Sequence, residues 1–591
     1  MSVNTSRQDE FQKETVKSDV LKHLLHYMTG YKKQIALVLL VMFVTVAIAA
    51  VNPLLIEHAI NVEIAGKDYW GLGKIVLLAL VLNIILVAGI KYRLILMARI
   101  ANHVLLEIRD ELYEHIQTLS FSFFDSRPTG KILARVIGDV NSLKEVFSDS
   151  VTKLIPDLLT IVAVLGIMLA RNWRLAMSAV LVLPLLAGGL YVIQIFSHRR
   201  WQVVRKKTSN LTGYIFEDYS GIQVVQSFGA ETESEEEFTG MLKEQRNAFR
   251  NAILVDNGYS TVLEITGGLG SFLLYFIGIH LMGVGTVEVG TFVAFATYLT
   301  MFWNPLQNLS EFYSKLVTNI SAAERIFDIL DTKPEVKDRE GAQELPDIEG
   351  AVRFDQVSFA YSDEPERKVL KEVSFAVNPG ETVALVGPTG AGKTTIVNLI
   401  SRFYNITSGH IYVDDYDLEQ VTIQSLRRQM GVMTQDNYLF SGTIRDNIRY
   451  GRLDATEEEI IAAAKAVHAH EFIMQMEKGY DSEISERGVR LSIGQRQLIA
   501  FARTFVSNPR ILILDEATSS IDTHTEILVQ QGIESLLADR TSFVIAHRLS
   551  TIRHADRIFV IDDGKIQEAG NHEELMAKKG AYYDLYQAQF C

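Results

Sequence analysis

Cysteine is almost absent from this 591-residue chain: there is one, Cys591, at the last position. A lone thiol excludes a disulfide within the chain and any cysteine metal cluster, and it suits a reducing, cytosolic environment. A basic excess is missing as well. With 57 Lys and Arg against 71 Asp and Glu the formal net charge is −14, which argues against broad nucleic-acid binding, normally carried by a basic face. No secretory signal precedes the first apolar run, and that run is too long for a signal h-region. What the chain does have is apolar length. A mean hydropathy of +0.13 alongside 22% charged residues implies two unlike halves, and the length alone predicts two or more domains.

The apolar half comes first. Residues 1–33 are polar and end in Tyr31-Lys-Lys33. Six apolar runs follow, at about 34–56, 72–97, 151–170 and 175–196, then within 253–282 and 289–309. Each is long enough to cross ~30 Å of hydrocarbon. One such run would suit a buried helix of a large soluble domain; six in succession predict a membrane protein. Asn52-Pro53 is expected to kink or end the first span. The stretches at about 98–150 and 197–252 are long and polar, with helical spacing, and carry Arg109, Arg127, Lys131, Arg135, Arg199, Arg200, Arg205, Lys206 and Lys207. The positive-inside tendency places them, the N-terminus and the C-terminal half on the cytoplasmic side of the cell membrane. Helices running well past the bilayer are expected there. Lys91 and Arg93 read as snorkelling side chains. Glu264 in the fifth span is either close to interfacial water or a carboxylate facing a cavity that favours cationic cargo.

Two aromatic segments interrupt the polar extensions, Leu119-Ser-Phe-Ser-Phe-Phe-Asp125 and Phe216–Phe228. Each fits the packing core of a helical hairpin and equally a contact surface for a cytoplasmic domain. A polar, Pro- and Glu-rich linker, 331–348, then leads into short β-branched strands alternating with helices, an α/β pattern beginning near 349.

Within that half, Thr382-Val-Ala-Leu-Val386 runs into Gly387-Pro388-Thr389-Gly390-Ala391-Gly392-Lys393-Thr394-Thr395 and then into a helical run. Strand, Gly-rich turn, Lys-Thr and helix are the full context of the phosphate-binding loop. Backbone N–H groups and the helix N-terminus would face phosphate oxygens, Lys393 would reach the β- and γ-phosphates, and the Thr394 hydroxyl would ligate Mg²⁺. A second apolar strand, Ile511-Leu-Ile-Leu514, ends in Asp515-Glu516. There Asp515 would hold Mg²⁺ and Glu516 would polarise the attacking water. The plainer reading of that pair is a helix N-cap.

At this point the chain resembles the ATP-binding cassette family, over roughly 350–591 in motif order. Leu491-Ser-Ile-Gly-Gln495 is similar to the signature motif, and Gln435 to the Q-loop glutamine, a nucleotide and Mg²⁺ contact. Asp522 in Ser520-Ile-Asp522 matches the D-loop, His547 the switch histidine, and Tyr361 the aromatic that stacks on adenine. Six spans with two long extensions ahead of a cassette resemble the exporters of that family. The resemblance implies a membrane α-helical domain (34–330) fused to an α/β P-loop ATPase domain (349–591), working as a dimer of half-transporters. ATP and Mg²⁺ would be the cofactors and amphipathic drugs or lipids the cargo, moved across the plasma membrane by alternating access. The two aromatic segments match coupling helices, the second docking on the partner. Ser492, Gly494 and Gln495 would meet ATP held by that partner, and Glu516 and His547 would be catalytic. A dedicated lipid flippase or peptide exporter is a rival within the class, and an ATP-gated channel or regulator is one outside it. The third signature position is glycine in the family and Ile493 here. A β-branched residue restricts both backbone freedom and close approach to phosphate, so a heterodimer with an altered second site is expected over a homodimer.

Overall fold

The structure, a computed structural model, describes residues 18–127, 129–283, 287–434, 437–485, 488, 490–515, 523–546 and 549–590. It divides into two compact units. One holds residues up to Ile116 together with Gly130–Asp331; the other holds Gln117–Thr129 with Thr332 onward.

The first unit is helical. Its six long helices are α1 (Lys32–His58), α2 (Tyr69–Thr118), α3 (Ile155–Arg171), α4 (Leu183–Ser220), α5 (Glu231–Gly283) and α6 (Val289–Leu330). Among the described residues, four helical stretches, Lys22–Ile64, Tyr69–Thr118, Thr152–Arg171 and Glu231–Leu281, are long and apolar enough to cross a membrane. In α2 the most apolar window buries none of its residues within the chain. Leu77, Leu80, Ile84 and Val87 all stand more than half exposed. A surface of that kind is stable only against lipid or another apolar face.

Beyond that window α2 changes character. Its buried residues become Arg93, Met97, Ile100, Ala101, Val104, Leu105, Ile108, Leu112 and Ile116. That i, i+3/i+4 stripe belongs to an amphipathic helix. At ~1.5 Å per residue its 50 residues extend ~75 Å, more than twice the hydrocarbon thickness. The expected extension past the bilayer is therefore present. Arg93 departs from expectation: it is only 8% exposed, so it packs into the stripe and does not snorkel.

Of the two outcomes expected at Pro53, a helix end is excluded: the first helix runs through it to His58, and the one hydrogen bond lost at proline is outweighed by the turns on either side. The fourth run is two helices, Trp173–Val180 and then α4, with Pro184 in the first turn of the second. Proline is well tolerated there because the first-turn N–H groups have no helical partner.

Helices α4 and α5 lie side by side, held by polar contacts along their extensions. Asp256 accepts from Trp201 Nε1 at 2.7 Å and from Ser197 Oγ at 2.5 Å, and Lys207 meets Glu244 at 2.5 Å. Nearer the tip, the Tyr214 hydroxyl donates to the Ser234 carbonyl at 3.0 Å. At the tip a short helix, Ile222–Ser227, is flanked by Phe216, Tyr219 and Phe228, all more than 70% exposed.

The second unit is α/β. Its strands are β1 (Val352–Ala360), β2 (Lys368–Val377), β3 (Thr382–Val386), β4 (Ser408–Val413), β5 (Tyr416–Asp417), β6 (Met430–Met433), β7 (Gly442–Thr443), β8 (Glu483–Ile484), β9 (Ile511–Asp515), β10 (Thr541–Ile545), β11 (Arg557–Asp562) and β12 (Lys565–Gly570). They form an antiparallel sheet β2-β1-β4-β5, a larger sheet β12-β11-β3-β10-β9-β6 and a small pair β7-β8. Strands β11, β3, β10, β9 and β6 are mutually parallel. β3, β9 and β10 are buried along nearly their whole length, as near-continuous apolar runs in a covered parallel sheet should be.

The polar segment before these strands is not a loose tether. Leu345 and Ile348 are buried in the core of this unit. The Ile348 N–H donates to Gln429 Oε1 at 3.0 Å and the Leu345 N–H to Ser425 Oγ at 2.9 Å.

Candidate nucleotide site

The parallel sheet sets side by side the strands that lead into the motifs. Ligands in such sheets bind beyond the carboxyl ends of the strands. Four adjacent strands, in the order β3, β10, β9, β6, each run toward one of the segments singled out from sequence. β3 leads into the phosphate loop, β10 toward His547, β9 ends in Asp515, and β6 leads through Thr434 toward Gln435. Gln435, Glu516, Asp522 and His547 lie outside the described residues. Asp515 pairs in register with Ile545 of β10, so those two strand ends lie level.

The phosphate loop spans Gly387 to Gly392 and opens α7 (Lys393–Ile400). At Gly387, φ is +147° and an added Cβ would lie 2.0 Å from the carbonyl oxygen of Ile561 in β11. No side chain fits. Gly392 is the N-cap of α7 at φ +108°, where a Cβ would press on Leu370 at 2.7 Å. Glycine at these positions thus satisfies both conformation and packing.

Lys393 folds back over the loop, its Nζ donating to the carbonyls of Gly387 at 2.7 Å and Pro388 at 2.8 Å. Burial lowers its pKa from the ordinary lysine value, and the Asp515 carboxylate partly opposes that. The loop's lysine and the β9 carboxylate therefore sit in one electrostatic neighbourhood. Thr395 is buried, and its hydroxyl pairs with that of Tyr361 at 3.1 Å. Burial raises the Tyr361 pKa, leaving a neutral phenol whose half-buried ring flanks the loop. Thr394 lies in the first turn of α7 beside Lys393, with Pro388, Thr389, Gly390 and Ala391 in the loop itself. Thr394 and Asp515 offer the hard oxygen donors that a magnesium ion prefers.

The signature segment opens α8 (Ile493–Val506). Ser492 is its N-cap in a reciprocal capping box: Ser492 Oγ accepts from the Gln495 N–H at 3.2 Å, and Gln495 Oε1 accepts from the Ser492 N–H at 3.0 Å. These two side chains shape the helix terminus and present it to whatever approaches. Gly494 is buried and Ile493 is 42% exposed. Ile493 is the first helical residue and has no positive φ. Glycine is therefore not demanded there by conformation, and the departure at 493 acts through bulk alone.

Sequence reasoning passed over Tyr404. It lies just beyond α7, is 6% exposed, and touches both Tyr361 and the first aromatic segment. Its only signal was an aromatic pair, Phe403-Tyr404, closely following the phosphate-loop helix. The first aromatic segment itself forms a short helix, Phe121–Asp125, packed on this unit: Phe121 lies 5.4 Å from Phe403, and Ser122 Oγ donates to Glu335 at 2.8 Å. Of the two sequence readings, the contact surface is the one observed.

The family described as ABC transporter transmembrane region matches residues 35–306, and the one described as ABC transporter matches residues 370–519. An ATP-dependent lipid A-core flippase of Syntrophus aciditrophicus is 38% identical over 576 residues, 97% of this chain and 95% of the relative. A fatty acid ABC transporter ATP-binding/permease protein of Mycobacterium bovis is 38% identical over 526 residues, covering 88% and 82% of the two chains. Among solved structures, a bacterial Atm1-family ABC exporter with ATP bound superposes with a TM-score of 0.77 at 28% identity, covering 95% of this chain and 98% of that one.

Proposed function

Since the chain belongs to the ABC transporter family, with an exporter's transmembrane region and a transport ATPase on one polypeptide, we propose that it exports amphipathic lipids or drugs from the cytoplasmic side as one half of a dimer. The observation that carries this reading is the phosphate loop, with Lys393 and Asp515 in one neighbourhood, on the same chain as membrane-length helices. Relatives whose names specify lipid A-core and fatty acid support an amphipathic cargo. The residues of the nucleotide site keep their assigned roles. Lys393 and the loop amides hold the phosphates, Thr394, Asp515 and Gln435 hold Mg²⁺, and Tyr361 carries the adenine. Glu516 and His547 act on the attacking water. Ser492, Gly494, Gln495 and Asp522 act across the dimer.

Two such ATPase units closing on ATP would swing the helices between inward- and outward-facing states. The exposed tip Ile222–Ser227, with Phe216, Tyr219 and Phe228 around it, is an apolar surface of the kind a partner's ATPase unit would cover. The chain purified together with its partner and placed in liposomes should hydrolyse ATP faster when an amphipathic substrate is added. A substrate flux that proceeds without hydrolysis is the behaviour of a channel and would exclude a pump.

The partner is proposed to be a different chain. In a homodimer both sites would carry the exposed Ile493 side chain where close backbone approach to phosphate is needed; a heterodimer confines it to one. The chain purified alone is expected to show little ATPase activity. A stable homodimer with robust, substrate-stimulated turnover would refute the heterodimer.

Glu264 is exposed on α5, beside the 63% exposed Ile265, so it is open to interfacial water, a cavity or a partner, and a carboxylate in a membrane span disfavours lipid. Glu264→Gln is expected to slow export of a cation such as ethidium while sparing neutral cargo and basal ATPase. Equal loss for both cargoes would remove Glu264 from substrate selection.

A further inference from the structure

A continuous set of contacts joins the helix Phe121–Asp125 to the phosphate loop within the second unit. Asp125 accepts a hydrogen bond from the Tyr404 hydroxyl. The Tyr404 ring stands edge-on to Tyr361, centroids 5.3 Å apart at 89°, and to Phe359 at 5.7 Å. The Tyr361 hydroxyl in turn pairs with Thr395 at 3.1 Å. Phe121 closes the other side, T-shaped against Tyr404 at 6.2 Å.

These contacts are directional. Edge-to-face rings keep their mutual geometry more strictly than aliphatic neighbours, and a phenol donating to a carboxylate is a charge-assisted bond. Burial and the Asp125 carboxylate push the Tyr404 hydroxyl far above the usual tyrosine range, so it remains a donor at every physiological pH. Arg427 lies over the Phe403 ring at 4.8 Å, which anchors the residue next to Tyr404. Tyr404 therefore has little freedom to move unless Asp125 moves with it.

We propose that Tyr404 and Asp125 are positioning residues for Tyr361, so that the helix Phe121–Asp125 and the base-side tyrosine of the same chain shift together. The inference rests on the reading that Tyr361 carries the adenine. It assigns the nucleotide base, as distinct from the phosphates, the task of reporting occupancy to that helix. It also makes the effect reciprocal, because a displacement of the helix changes affinity for the base by the same factor.

A packing role and a positioning role separate by ligand. ATP and inorganic triphosphate are titrated onto the full-length protein in detergent, for wild type, Tyr404→Phe, Asp125→Leu and Asp125→Asn. Tyr404→Phe keeps the ring and removes one charge-assisted bond, so ATP affinity should fall about 10-fold or more, the lower end of what a hydrogen bond to a charged group is worth, with triphosphate affinity unchanged. Asp125→Leu should match it, and Asp125→Asn, which retains an acceptor oxygen, should stay near wild type. In a Tyr361→Ala background neither Tyr404→Phe nor Asp125→Leu should have any further effect. Equal weakening for both ligands, or full additivity with Tyr361→Ala, would overturn the proposal in favour of packing alone, as would unchanged ATP affinity. If wild type binds triphosphate but gains nothing from the base, the adenine reading itself fails, an outcome distinct from failure of the link.

Discussion

Glu516→Gln should leave ATP binding intact and reduce hydrolysis by about 10²–10⁴-fold, the usual worth of a positioned general base. Glutamine keeps the size and most of the hydrogen bonding of glutamate and removes only the ability to take a proton from water. In the sequence Glu516 directly follows Asp515, the last residue of β9, whose carboxylate shares the electrostatic neighbourhood of Lys393. With turnover blocked, the ATP-closed dimer should accumulate and be recovered intact by gel filtration in ATP. Phosphate release measured under the same conditions decides the assignment. Near-normal turnover in this variant would mean that the water is activated by another group.

Lys393→Met is expected to cost at least as much, at an earlier step. Methionine keeps an unbranched apolar stem of similar length and deletes the ammonium. The two carbonyl contacts at Gly387 and Pro388 and the charge facing the phosphates are lost together. Charge-assisted hydrogen bonds contribute about 1.5–3 kcal/mol each, so losing the contacts to phosphate should weaken ATP binding by roughly 10²-fold or more and bring hydrolysis to background. A fluorescent-nucleotide titration beside a thermal melt separates loss of binding from loss of fold. Wild-type affinity in a folded variant would show that the loop amides alone hold the triphosphate. The pH dependence has a definite sign. Phosphate binding needs the charged form, and burial lowers the Lys393 pKa, so the alkaline limb of binding should begin below that of an ordinary lysine.

Much of this architecture is legible in the sequence because it rests on local patterns. The phosphate loop and the apolar strands before it and before Asp515 are contiguous, and their chemistry depends on neighbours in the chain. Likewise, membrane-length helices follow from composition alone. The features that escaped depend on distant contacts. Arg93 looked like a snorkelling residue because its burial is set by the stripe that α2 shares with other helices. Residues 331–348 read as a linker because their composition is polar, whereas Leu345 and Ile348 fix their end to a core formed some way further along. At Pro53 a kink and a helix end were both open, since sequence does not show how firmly the flanking turns are held. Ile493 misled in a narrower way. Glycine in a motif suggests a special backbone conformation, whereas position 493 is an ordinary first helical residue. For Tyr404 the aromatic pair after α7 gave a position but no role, because its partners lie at Asp125, far upstream, and at Tyr361, just past the end of β1.

The central claim is that hydrolysis on this chain drives solute across a membrane. Its most direct test uses inside-out vesicles from cells that naturally express the chain, so that any partner is present, carrying either wild type or Glu516→Gln. A fluorescent amphipathic cation and a fluorescent phospholipid serve as cargo, with ATP or a non-hydrolysable analogue outside. The account predicts that wild-type vesicles accumulate cargo above the external concentration with ATP only, alongside phosphate release, and that Glu516→Gln vesicles accumulate none. Entry that stops at the external concentration and proceeds equally with the analogue, or equally in Glu516→Gln, would contradict it.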